Sequence, residues 1–145
     1  MLRGIPLAAE TIQTSARFEM VEITQRVQAQ IERARLKSGL AIVYVAHTTA
    51  ALTINENADP DVKSDLLEKL EILIPQNETY YQHDEGNSDA HLKASLFGQS
   101  QTLIVEAGKL QLGRWQGVYL CEFDGPRERR VLIKLVDLTP DEHTS

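Results

Sequence analysis

LAIVYVA, residues 40–46, is a nearly continuous apolar run rich in β-branched residues. Such a run predicts a strand buried on both faces. Upstream, Val27, Ile31 and Ala34 recur at helical spacing, predicting a helix over 24–36 with Thr24 as its cap and Gly39 beyond its end. Downstream, Leu52-Thr53-Ile54 reads as a second short strand. Asp59-Pro60 then opens a helix, because Asp caps well and Pro suits the first helical position. Val62, Leu66, Leu70 and Leu73 form its apolar stripe, and Pro75 stops it.

The stretch 76–87 is long, polar and aperiodic, the composition of a disordered or functional loop. Ser88 caps a short helix through Phe97, closed by Gly98. The last third reads as β, with strands over 102–106, 115–123 and 130–138 and turns at Ala107-Gly108-Lys109 and Asp124-Gly125-Pro126. Strands at both ends with helices between them predict an α+β domain of two to three helices over a sandwich-like or barrel-like β core. With no linker, repeat or shift in composition, the 145 residues form one domain, 1–145.

Composition narrows the function. Charged residues make up 25% and apolar residues 42%, the mix of a globular protein. No apolar run reaches membrane-spanning length, and the N-terminal stretch lacks the apolar region of a signal peptide. Both features predict a cytoplasmic protein. A net charge of −6 is a poor start for nucleic-acid binding. The one dense basic run, Arg127-Glu128-Arg129-Arg130, reads either as a solvated turn or as an anion contact in a site. Cys121 is the sole cysteine, which excludes an intrachain disulfide. On a strand it shares a face with Trp115, Tyr119 and Phe123, so it reads as a small core residue.

Polar residues gather in three segments. His47 follows the first strand, and Thr48 comes next. His83 and His91 bracket the loop HDEGNSDAH, with Asp89 and His91 in the first turn of a helix. A helix N-terminus favours a neutral imidazole, fit to act as ligand or base. Separations of 36 and 8 residues match no local zinc template, and a lone His beside a strand is commonly structural. His143 reads as solvated. Asn55-Glu56-Asn57-Ala58-Asp59 is either a capped turn or an acid/base with an orienting amide near His47. Arg114, Gln116 and Glu122 form the polar face of a half-buried strand, which also suits a pocket wall. Phosphate-binding loops, dinucleotide fingerprints, C-x-x-C, H-E-x-x-H and G-x-S-x-G are absent from the sequence.

HTTAALTINENADPDV at 47–62, HDEGNSDAHLKASLFG at 83–98 and GRWQGVYLCEFDGPR at 113–127 closely resemble, in order, the motifs of the YjbQ-type family. The resemblance covers nearly the whole chain and is weakest before residue 40. It implies a sandwich-type α+β fold and a homotrimer with the polar cluster near subunit contacts. It also implies thiamine-phosphate synthase activity, which joins hydroxymethylpyrimidine pyrophosphate to thiazole phosphate and releases pyrophosphate. His47, His83 and His91 match the family's histidines, while Asn55, Glu56, Asp84, Asp89, Arg114 and Gln116 match its other polar positions. The expected roles are a divalent metal, Zn or Mg, on the three histidines and acid/base work by Glu56 or Asp89. Arg114 and Gln116 join the catalytic set, with Thr48, Asn55, Asn57 and Arg127 on a phosphorylated small-molecule substrate. The alternative is a non-catalytic trimeric module that binds a metal or small molecule.

Overall fold

The computed structural model of the chain describes residues 2–141. His143 lies outside them. Two antiparallel sheets and three helices make the α+β fold the sequence predicts. The first sheet has five strands, β1 (Ala8–Gln13), β8 (Glu128–Asp137), β3 (Gly39–Val45), β5 (Ser100–Glu106) and β6 (Lys109–Leu110), in that order. The second has three, β2 (Glu19–Glu22), β7 (Gln116–Glu122) and β4 (Ala50–Glu56). Helices α1 (Thr24–Ala34), α2 (Pro60–Leu73) and α3 (Ser88–Phe97) complete it.

The three-stranded sheet is the middle layer. Alternate side chains of a strand point to opposite faces, so β7 feeds two cores at once. Val118 and Leu120 join Val43, Val45, Val131 and Ile133 of the larger sheet, together with Val27 and Ile31 of α1. Tyr119, Cys121 and Phe123 point the other way, into a smaller core with Leu70 of α2 and Ala90 and Ala94 of α3. β7 is therefore buried on both faces from Gly117 to Glu122, not half-buried as its alternating polarity suggested. Burial pushes the Cys121 thiol up to about 12. Native protein at pH 8 should resist iodoacetamide and react fully once unfolded in urea, as intact-mass spectrometry would read, because the thiolate is the reactive form.

β3 departs from expectation the opposite way. Ala41, Val43 and Val45 are buried, but Leu40 and Ile42 are only half-buried and Tyr44 is exposed. No element among the described residues covers that face. Thr24 does not cap α1; Ile23 occupies the cap position. The Thr24 hydroxyl instead donates to Glu22 and accepts from the Val118 N–H, tying α1's start to β2 and β7. α1 stops at Arg35, which is left-handed at φ 54°. Asp59 caps α2 as predicted, its carboxylate accepting from the Asp61 N–H. Leu73 of the expected α2 stripe is exposed, because the helix turns only its Leu66, Leu67 and Leu70 side inward. Ala107 and Gly108, both at positive φ, form a two-residue hairpin turn from β5 to β6.

Candidate functional site

Strand polarity decides which polar residues meet. His47 lies just before β4, whereas Asn55 and Glu56 end it. Seven extended residues separate the two groups by about 20 Å. The polar residues of the chain consequently form two groups at opposite ends of the middle sheet. One chain does not bring Asn55 or Glu56 to His47.

At the far end, Asn57 donates to the Glu22 carboxylate at 3.2 Å and to the Gln116 carbonyl at 3.3 Å. The Gln116 side chain accepts from the Gly113 N–H at 2.7 Å, and Asn55 accepts from the Glu56 N–H. The Arg114 guanidinium stacks 4.7 Å from the Trp115 ring centroid. These contacts tie off the ends of β4 and β7 and leave Arg114 exposed at the rim.

The other end carries a cleft of about 450 Å³, whose walls include His47, Thr48, Asn87, His91, Arg127 and Arg129. His91, in the first turn of α3, is its hub. The imidazole also borders a concavity beside Tyr44, His47 and Gln99, and an apolar one beside Tyr80, His83 and Leu92. His83 and His91 meet edge to face with centroids 5.4 Å apart. The His47 Nε2 accepts the Arg130 N–H at 2.8 Å, so that nitrogen is unprotonated. Burial, followed by the positive charge of Arg129, holds His47 below its usual value against the opposing pull of Glu122.

Asn87 is the residue the sequence did not single out. It stands at the cap position of α3, where Asn ordinarily bonds the first-turn amides. Here its Nδ2 donates instead to the Asp124 carboxylate at 2.8 Å. That bond fixes the amide's orientation and leaves Oδ1 buried with no hydrogen-bond partner among the described residues. An orphaned buried acceptor costs about 1–3 kcal/mol and so calls for a donor. Asn next to a helix start was the only sequence signal for it, and that signal reads as a cap.

Below the cleft run two buried ionic networks. Glu122, with no exposed side chain, accepts from Thr14 Oγ1, the Asp124 N–H and both Nε and Nη2 of Arg129. Arg129 Nη2 also donates to the carbonyl and hydroxyl of Thr49. Arg129 thus belongs to the interior, not to a solvated turn. Arg127 stays at the rim, donating to the Asp124 carbonyl and carboxylate at 2.8 and 3.0 Å. Asp89 forms the second network with Arg17 at 3.0 Å and Lys93 at 3.0 Å, and Lys93 lies 4.2 Å from the Phe18 ring centroid. Burial favours a neutral Asp89, but the bonds and charges of Arg17 and Lys93 outweigh it and hold the carboxyl below the usual range. Asp89 anchors α3 and is spent on that task; it does not line the cleft.

Among the described residues no group of three or more His, Cys, Asp or Glu side chains converges closely enough to hold a metal ion. His83 and His91 offer two imidazoles at most, half of a tetrahedral zinc set. The described residues of one chain therefore do not complete a metal site.

A two-sheet antiparallel sandwich with a histidine-lined cleft at the N-terminus of its last helix defines the class of protein. The chain belongs to the family described as UPF0047 protein YjbQ-like, which it matches over residues 9–138. It is 51% identical over 125 residues to a UPF0047 protein of Methanocaldococcus jannaschii, covering 86% of this chain and 90% of the relative. Identity to the UPF0047 protein YugU of Bacillus subtilis is 50% over 125 residues, covering 86% and 95%. The crystal structure of an uncharacterized conserved protein of the same family from Clostridium acetobutylicum superposes with a TM-score of 0.86 at 48% identity, covering 88% of this chain and 98% of that one. A YbjQ-like protein of unknown function from Sulfolobus solfataricus gives 0.88 at 31%, covering 94% and 99%. No helix among the described residues is long and apolar enough to cross a membrane.

Proposed function

We propose that the His91 cleft binds phosphorylated heterocycles in the cytosol and couples hydroxymethylpyrimidine pyrophosphate to thiazole phosphate. The observation that carries this reading is the buried, unpartnered Oδ1 of Asn87. An aminopyrimidine presents the N–H donor that this acceptor lacks. Phosphate groups would lie toward Arg127 and the first-turn amides of α3, whose partial positive charge favours anions. The thiazole nitrogen forms a bond to the pyrimidine's methylene carbon as the carbon–oxygen bond to pyrophosphate breaks, and pyrophosphate departs with the electron pair. Arg127 supplies a guanidinium donor to that leaving group. His47, kept neutral by burial and by Arg129, orients the reactants together with His91.

We also propose that the protein works as a homotrimer. A closed ring of three joins two different patches on each subunit, and the chain exposes two apolar patches on either side of the cleft. One is the outer face of β3 and β5 with Tyr44 and Ile104; the other holds Leu92 and Leu96 of α3 with Tyr80. Tyr44 and Leu92 each border a concavity shared with His91. Contact between unlike patches would close the cleft with residues from a neighbour. A divalent metal, Zn or Mg, would draw its remaining ligands from that neighbour or from substrate. Sedimentation equilibrium should give three times the 16.3 kDa chain mass, and Ile104→Asp should shift it to monomer. A monomeric wild type would remove the trimer.

The test of function is thiamine phosphate formation from the two phosphorylated precursors by wild type, His91→Ala and Asn87→Ala, each with and without chelator. Turnover should fall roughly a hundredfold or more in His91→Ala and be suppressed by the chelator if a metal takes part. Equal, faint turnover in every sample would overturn the synthase reading and leave the cleft as a binding site alone.

A further inference from the structure

A second concavity, of about 590 Å³, lies between the N-terminal segment, α1 and β8 and shares no lining residue with the His91 cleft. Its floor is apolar: Ile5, Ile133 and Leu135 are buried members of the main core. Three guanidinium groups stand on its rim, from Arg3, Arg33 and Arg35, and no carboxylate lines it. In a chain of net charge −6, three cationic groups thus gather around one apolar hollow.

Their partners among the described residues leave most of the guanidinium donors free. Arg3 spends its Nε on Asp137 at 2.8 Å. Arg33 makes one long bond to Gln30 Oε1 at 3.4 Å. The Arg35 side chain forms no ion pair or hydrogen bond among the described residues. The C-terminus of α1 accounts for one basic residue in its last turn, Arg33, through the helix dipole. It does not account for Arg3, which reaches the same rim from the N-terminal segment.

We infer that this hollow binds an amphiphilic anion, an apolar body carrying one carboxylate or phosphate. The body lies on Ile5, Ile133 and Leu135, and the anionic head meets the planar donors of Arg33 and Arg35. The volume falls within the range of small-molecule sites. The inference does not depend on the activity proposed for the His91 cleft.

Isothermal titration of the full chain with octanoate and with octyl phosphate, below their micelle concentrations, tests the site and separates carboxylate from phosphate ligands. Octanol and inorganic phosphate serve as tail-only and head-only probes. At least one amphiphile should bind saturably, and both single-part probes roughly tenfold or more weakly. Arg33→Gln/Arg35→Gln, whose exposed positions leave the fold intact by thermal melt, should weaken binding by roughly tenfold or more, while His91→Ala leaves it unchanged. Methyl resonances of Ile133 and Leu135 should shift on titration. No saturable binding, equal binding of octanol, or undiminished binding by the double variant would overturn the inference.

Discussion

Glu122→Ala should lower stability by about 3–5 kcal/mol, because it strands a charged Arg129 in the interior. Arg129 is 2% exposed and Glu122 fully buried, so neither is rescued by water when the other is removed. Since a whole domain is stable by only about 5–15 kcal/mol, the variant should sit near the edge of folding. Urea melts at neutral pH check the size of the loss. A double variant, Glu122→Leu with Arg129→Leu, removes both charges and should be less damaged than Glu122→Ala, since an apolar pair of similar volume often replaces a buried ion pair at little cost. Single and double losses that simply add would show that the two residues act independently.

Asp89→Asn should cost a comparable amount, about 3–5 kcal/mol, by leaving Lys93 buried without its nearest counter-charge. Among the described residues only Glu71, at 3.8 Å, remains as an ion partner of that ammonium, and its own side chain is half exposed. The loss should depend on pH with a definite sign. The folded carboxyl titrates below its unfolded value, so its contribution is complete above the unfolded value of about 3.9 and fades as pH falls through the lower folded value. The stability gap between wild type and Asp89→Asn is then widest near neutrality and closes below about pH 4. A loss under about 1 kcal/mol at pH 7, or a gap that stays constant in acid, would assign the anchoring of α3 to apolar contacts alone.

Much of the fold was legible because its signals are local. Asp59-Pro60 and the apolar spacing of Leu66 and Leu70 suffice to place α2, and β3, β5, β7 and β8 announce themselves through β-branched and aromatic content. β1 and β2 escaped notice because AAETIQ and EMVE are short and rich in small or polar residues, and each lies at the edge of its sheet, with one neighbour only. Burial was less legible than element type. Alternation in β7 looked half-solvated because Glu122, a polar residue at the end of an inward face, is buried against Arg129 supplied by β8. A one-dimensional pattern carries no trace of that partner.

The candidate site divides along the same line. His47, His83 and His91 were picked out by residue type and family resemblance, and the fold sets His91 beside both of the others. Asn55 and Glu56 were expected there because they are near His47 in sequence, yet an extended strand carries neighbours in sequence away from each other. Asn87 was passed over for the opposite reason. Its chemistry depends on a bond to Asp124, 37 residues away, which turns a routine helix cap into an open acceptor.

The pairing of β1 with β8, Ala8 against Ile133 and Gln13 against Glu128, has a consequence for biosynthesis. A ribosome delivers the first of these strands more than a hundred residues before the second. Throughout that interval the nascent chain holds an unpaired strand edge, and β3 waits likewise for β8 as its neighbour. The larger sheet can close only after nearly all of the domain has emerged, so its closure comes late and is slow, as pairings between distant segments are. The polar alternation of AAETIQ, which hid β1 from a reading of the sequence, suits that wait: a strand left open for so long gains from being a poor template for its neighbours.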